Sequence, residues 1–322
     1  MNSRVIKGAD FAHILSENEE GAIQAAMAAN RPLLVRGEPG VGKTQLAKAA
    51  AVSLKRPLVS MTVDANTEPR EIMWTFDAVQ RLAEAQVAAV TTKDPAKLRS
   101  LIDVKRFVKP GPIWWAYSWD TAKAQLGEHE ESPATPKGWT SKKGVVILID
   151  EIDKAESEVP NGLLEALGSR QFLPQGWNNP IALSTQVAAP LIMITTNEER
   201  MLPDAFVRRC FVLHLELPSI SVHEPKTSDE QTLDKEFVQF LQLRGDAHFG
   251  KDDPDLLREA AMMLLADRRY AMQHRLLPLP GQAEYLDFLR AIVTMTIPPA
   301  DRTKVFEQVR SYVFRKSRRP QR

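Results

Sequence analysis

Up to about residue 218 the apolar positions mix alternating or solid short runs with stretches of helical spacing, and beyond it strand signals nearly vanish and helical spacing remains. Phe11 to Asn30 is expected to form a helix, with Phe11, Ile14, Leu15, Ile23, Ala26 and Met27 recurring at three- and four-residue intervals around the polar stretch Glu17 to Glu20. A short strand at Pro32 to Val35 is followed by a helix-forming run, Gln45 to Leu54. Leu58 to Val63 alternates, with Val59, Met61 and Val63 on one side and Ser60 and Thr62 on the other, which is the pattern of a half-exposed edge strand. Phe211 to Leu217 alternates in the same way and predicts a second edge. Between them, Val145 to Ile149 and Leu191 to Ile194 are solidly apolar, as strands buried on both faces of a parallel sheet are.

Residues 64 to 143 are less regular. Ile72, Phe76, Val79, Leu82, Ala83 and Gln86 predict one face of a helix over Pro69 to Val90, and Trp114 to Gln125 predicts another, with a turn at Lys109-Pro110-Gly111-Pro112 between them. Trp114, Trp115 and Trp119 are half of the six tryptophans and suit either a packed helix face or a partner-binding surface. Glu128 to Lys143 is expected to be an exposed loop. Val159 to Gly168 predicts a helix carrying Leu163, Leu164 and Leu167, and Phe172 to Leu183 a hairpin with Gln175 to Asn179 at its tip. Trp177 at that tip is either an ordinary loop aromatic or a contact residue. Ser219 to Ser228 has the composition of a linker, and four helices are expected beyond it, at Leu233 to Leu243, Pro254 to Ala266, Gln282 to Met295 and Asp301 to Phe314.

The chemistry gathers at the ends of the strands. Gly37-Glu38-Pro39-Gly40-Val41-Gly42-Lys43-Thr44 fits the phosphate-binding P-loop pattern and lies where that motif needs to lie, after a strand and before a helix. A helix N-terminus preceded by glycines offers unpaired N–H groups and a positive dipole end to phosphate. Lys43 is expected to contact the β/γ oxygens, and the Thr44 hydroxyl to hold Mg²⁺. Asp150 and Glu151 directly follow a buried strand, where open α/β sheets place their ligand chemistry. Asp150 is the second candidate for Mg²⁺, and Glu151 the candidate base or orienter of the attacking water. Asn197, at the end of the next buried run, is either a water-orienting amide or a turn residue. Leu202 to Arg209 predicts a short helix ending in Arg208 and Arg209, candidate fingers for a neighbouring subunit's nucleotide.

Composition narrows the picture by exclusion. The 322 residues are 43% hydrophobic and 26% charged with net charge +1, enough for a sizeable core and without a global signal for nucleic acid. A basic cluster, Arg315 to Arg322, is expected to be a solvated tail. One cysteine, Cys210, rules out an internal disulfide and points to a reducing, cytoplasmic setting, and it is expected to be structural rather than a nucleophile. No run reaches the roughly 18 apolar residues of a membrane helix.

Taken together, the Walker A segment Gly37 to Thr44, the Walker B segment Val146 to Glu151, the sensor position Asn197 and the arginine segment Leu202 to Arg209 resemble the AAA+ ATPases, more narrowly their MoxR and dynein-related branch. The resemblance implies an α/β P-loop core over residues 1–220, with a five-stranded parallel sheet in the order 5-1-4-3-2, insertions at about residues 90–143 and a hairpin at about 170–185 like the pre-sensor-1 insertion. It implies a helical lid over residues 221–322. It further implies ATP and Mg²⁺ as ligands, Arg209 as the finger with Arg208 second, a hexameric ring, and chaperone-like remodelling of a separate partner protein containing a von Willebrand A domain. One departure stands out: the helix start Gly281-Gln282-Ala283-Glu284 lacks the branch's lid arginine, with Arg275 and Arg290 as substitutes elsewhere. A nucleotide switch without turnover and a DNA-handling or GTP-using motor are the competing functions. Intact Lys43, Asp150, Glu151, Asn197 and Arg209 weigh against the first, and neutral charge and the lack of an Asn-Lys-x-Asp motif against the second.

Overall fold

The computed structural model describes residues 3–9, 11–127, 131–250, 253–295 and 302–316. The chain opens with a hairpin, β1 (Arg4–Lys7) and β2 (Ala12–Leu15), paired antiparallel from Arg4 opposite Leu15 to Lys7 opposite Ala12. Phe11 to Leu15 therefore does not begin a helix, contrary to its spacing. Five residues are too few to nucleate one, and pairing with β1 satisfies their backbone instead. Helix α1 (Glu17–Ala29) starts at the polar stretch, whose acids sit in the first turn where the helix dipole favours them.

Strand β3 (Leu33–Arg36) leads through the glycine loop into α2 (Lys43–Leu54), and β4 (Leu58–Thr62) follows. The helix expected over Pro69 to Val90 is broken in two. A 3₁₀ turn at Pro69–Ile72 gives way to β5 (Trp74–Phe76), and α3 (Ala78–Thr91) starts only at Asp77, whose side chain accepts the N–H of Gln80 at 2.8 Å. Its orientation also differs from expectation: Val79 and Leu82 are 81% and 61% exposed, while Ala88 is buried. Arg81 fixes that orientation, donating from Nε to the Ile102 carbonyl at 3.0 Å. After α4 (Pro95–Leu101) comes β6 (Val108–Pro110), antiparallel to β5, and then α5 (Pro112–Tyr117) and α6 (Trp119–Gln125), two helices where one was expected.

Those helices settle the tryptophan cluster as core. Trp114, Trp115 and Trp119 are all buried, and Trp114 meets Phe172 and Trp177 edge-on at 5.8 and 5.4 Å. Trp177 is thereby a packing residue, with Lys105 over its ring. Of the loop expected at Glu128 to Lys143, residues 128–130 lie outside the described residues; Trp139 stacks edge-on against Trp119 at 4.7 Å.

Strand β7 (Val146–Asp150) and α7 (Glu158–Ser169) precede the short hairpin β8 (Gln171–Phe172) and β9 (Ile181–Ala182). Then come β10 (Leu191–Thr196), the four-residue helix α8 (Asp204–Val207) and β11 (Phe211–His214). The five-stranded parallel sheet runs β11-β3-β10-β7-β4, which is the expected 5-1-4-3-2 once the core strands are counted in chain order. The alternating strands β4 and β11 are its edges and the solid runs are inside. The register aligns Thr196 with Arg36 and Thr62 with Asp150, so these strands end along one carboxyl edge.

The C-terminal region is α9 (Ser228–Phe249), α10 (Pro254–Gln273), α11 (Gln282–Thr294) and α12 (Arg302–Val313), around a core that includes Phe237, Leu264, Tyr285, Phe288 and Phe306. The segment before α9 is not a loose linker. Ser221 is buried and donates its hydroxyl and its N–H to Asp234, which Arg269 also grips. Of the basic tail, Arg315 and Lys316 pair with Asp267 and Glu284; residues 317–322 lie outside the described residues. By contacts the chain forms two compact units: residues 1–17, 37–49 and 214–322 in one, residues 18–36 and 50–213 in the other.

Candidate functional site

The candidate residues divide between the two units. In the first unit lies the glycine loop, whose backbone takes positive φ at Gly37 (153°), Gly40 (79°) and Gly42 (104°), a region that side chains with a Cβ rarely enter. Sterics demand glycine as well: a Cβ on Gly37 would stand 2.3 Å from the Leu215 carbonyl oxygen, and one on Gly40 would stand 2.7 Å from the Ala283 methyl. Helix α2 begins at Lys43, so its first N–H groups have no intrahelical acceptors. Lys43 is 7% exposed and its Nζ donates to the carbonyls of Gly37 and Glu38 at 2.7 and 3.0 Å, which folds the ammonium over the loop. Glycine backbone, a helix N-terminus and a lysine in one turn of chain form the donor set that a polyphosphate requires.

In the second unit lies the acidic end of β7. Asp150 Oδ1 accepts from the Thr195 hydroxyl at 2.5 Å, and that hydroxyl accepts the Glu151 N–H at 2.9 Å. Thr195, fully buried on β10, therefore sets the direction of both acids. Glu151 itself adopts a left-handed conformation, φ 61°, which turns its side chain off the strand. Its Oε2 accepts from Lys154 Nζ at 2.5 Å and its Oε1 from Asn197 Nδ2 at 3.4 Å. The hydrogen bond from Lys154 raises the lysine's pKa, with the carboxylate's charge adding to the effect. The structure thus brings Asn197 and Glu151, two of the candidate residues, into contact.

Behind them stands Asp153, 2% exposed, whose Oδ2 accepts the N–H groups of Asn197 at 3.1 Å and Glu199 at 2.9 Å. Glu198 pairs with Arg36, the last residue of β3, at 3.2 Å. Sequence reasoning did not single out Asp153, Lys154, Thr195 or Arg36. The repeat of acids at 150, 151 and 153 was a usable signal for the first of these; Arg36 and Thr195 were hidden inside strands. The chemistry of Asp150 and of the Thr44 hydroxyl, hard oxygen donors, suits Mg²⁺.

Arg208 and Arg209 follow α8 and are both exposed. The Arg208 carbonyl receives Arg31 Nη1 at 3.4 Å, and the Arg209 N–H closes a turn on Phe206. Cys210 is half-buried, its Sγ against the Phe206 carbonyl, and burial pushes its thiol pKa up to about 11. Of the expected substitutes, Arg290 pairs with Asp287 at 2.9 Å on its own helix, and Arg275 stands exposed past the end of α10. Among the described residues of the C-terminal helices, Arg268 reaches the loop, at 3.0 Å from Glu38.

A solved structure named "putative ATPase" from Cytophaga hutchinsonii is similar at 14% identity and a TM-score of 0.38, over 92% of this chain and 79% of that one, a likeness too distant to carry an argument. No curated protein matches. The family model for the AAA domain of the dynein-related subfamily matches residues 32–210, from the strand before the glycine loop to the end of the arginine segment. That span is more than half of the 322 residues, and this chain belongs to the dynein-related AAA family of ATPases.

Proposed function

We propose that this ATPase is of MoxR type and works as a Mg²⁺-dependent, ring-forming chaperone that remodels a separate partner protein. The observation that carries the assembly is the pair Arg208 and Arg209, both exposed directly after α8. An arginine so placed is available to a neighbour's nucleotide, where it stabilises transition-state charge, and Arg209 takes that part with Arg208 as second choice. The hairpin β8–β9, set between α7 and the strand that carries Asn197, supports the narrower MoxR assignment.

In this account Gly37, Glu38, Pro39, Gly40, Val41, Gly42, Lys43 and Thr44 bind the phosphates of ATP. Thr44 and Asp150 hold Mg²⁺, which when bound neutralises charge developing on the phosphates. Glu151, oriented by Asn197, takes the proton of the attacking water. Hydrolysis then weakens the bridge between subunits, a ligand-driven shift between two states. The ring is a hexamer, the partner is a chain with a von Willebrand A domain, and the setting is the cytoplasm. No helix among the described residues is long and apolar enough to cross a membrane, in keeping with that setting. The test is purification of the Glu151→Gln protein from its host with ATP, followed by mass and identification of what co-elutes. A ring carrying a specific partner supports the proposal; a monomer that carries no protein overturns it.

A further inference from the structure

The guanidinium of Arg268, on α10, is 8% exposed, and it makes two kinds of contact. Nη2 donates to both carboxylate oxygens of Glu38, at 3.2 and 3.0 Å, and Nη1 donates to the Pro280 carbonyl at 2.9 Å. Both recipients belong to the phosphate loop's surroundings. Glu38 carries Lys43 on its backbone, since its carbonyl accepts from Nζ at 3.0 Å, and carries Arg268 on its side chain. Pro280 leads into Gly281-Gln282-Ala283, and the Ala283 methyl fills the space that a side chain on Gly40 would need.

Gln282 is the next link. It is 7% exposed, its Nε2 stands 3.6 Å from where a Cβ of Gly42 would be, and its Oε1 has no hydrogen-bond partner among the described residues. The helix start that lacks a lid arginine therefore presents a neutral amide to the loop, while the lid's cation sits one helix earlier and holds a loop carboxylate. The residues beside Arg268 are committed elsewhere. Asp267 takes Arg310 at 2.6 Å and Arg315 at 3.1 Å, and Arg269 takes Asp234 and Glu224. Releasing a buried guanidinium from its carboxylate would leave a desolvated charge, which keeps the Arg268–Glu38 clasp closed.

We propose that Arg268 is a positioning residue of the ATPase: through Glu38 it sets the phosphate loop and Lys43, and through Pro280 it seats Gln282 against Gly42. The lid is thereby coupled to nucleotide binding by pinning the loop, with Gln282 as the lid's contact to the phosphates. The inference rests on Gly37 to Thr44 being the phosphate-binding loop, and a Lys43→Ala control tests that separately.

The experiment is ATP titration and steady-state hydrolysis with the full chain as wild type, Lys43→Ala, Arg268→Gln, Arg268→Lys, Glu38→Gln and the double variant Glu38→Gln/Arg268→Gln. Arg268→Gln and Glu38→Gln are each expected to raise KM for ATP about tenfold, with a smaller change in kcat. The double variant is expected to lose no more than either single one, because the two act as one pair. Arg268→Lys restores part of the affinity, lacking the fork that holds both oxygens. If Arg268→Gln fails to fold, Glu38→Gln carries the test from the half-exposed side of the pair. An unchanged KM in folded variants, or losses that add in the double variant, overturns the proposal. Loss of ATP binding in Lys43→Ala together with unchanged KM in the others sinks this inference alone, whereas unaltered binding in Lys43→Ala sinks the loop assignment.

Discussion

The glycine loop and the acidic end of β7 are both built at strand ends, yet they are held by opposite means. Asp150, Glu151 and Asn197 are fixed from within the sheet, by Thr195 on the neighbouring strand and by Asp153 two residues after Glu151. The loop is fixed from far away in sequence, its Glu38 gripped by an arginine 230 positions later and its Gly40 packed on Ala283. Two-sided burial of β7 and β10 gives these acids a rigid frame, as the proposed water-holding role of Glu151 requires. The loop's frame belongs to the C-terminal helices, through Arg268 on α10 and Ala283 on α11.

The contrast can be broken at either end. Lys43→Ala should lower ATP affinity about 1000-fold, or about 4 kcal/mol, measured by equilibrium titration. Retained affinity would mean that the loop does not carry the phosphates. Asp153→Ala should slow hydrolysis about tenfold while ATP affinity holds, because the backbone N–H groups of Asn197 and Glu199 lose their acceptor, and Asp153→Asn should recover part of the rate. An affinity loss matching the rate loss would show that the acidic end is not separately framed. The smallest effect belongs to Cys210, outside both frames. Burial raises its thiol pKa from its usual 9.0 to about 11, so alkylation of the folded protein at pH 8 should be slow. The same shift makes the neutral thiol favourable to folding below pH 9.0, a contribution lost as pH rises through about 11, which a pH series of thermal melts can follow.

What was legible in the sequence follows the same division. Gly37 to Thr44 and Asp150-Glu151 are contiguous strings, and edge and interior strands differ in pattern because one or both faces are covered. Non-local pairing was not legible. Phe11 to Leu15 became a strand because Arg4 to Lys7 lies beside it, and α3 turned its apolar positions outward because Arg81 bonds to Ile102. Arg268 gave no local sign of its role, since its partner is distant in sequence and no spacing rule joins them. The start of α11, where the resemblance would put an arginine, carries Gln282 instead.

The most direct measurement is ATP binding and ATP hydrolysis by Glu151→Gln side by side with the wild type. With Glu151 in the proposed role of taking the water's proton, its loss should slow turnover by about 10²- to 10⁴-fold while ATP affinity stays at the wild-type level. Wild-type turnover in the Glu151→Gln protein would contradict the account.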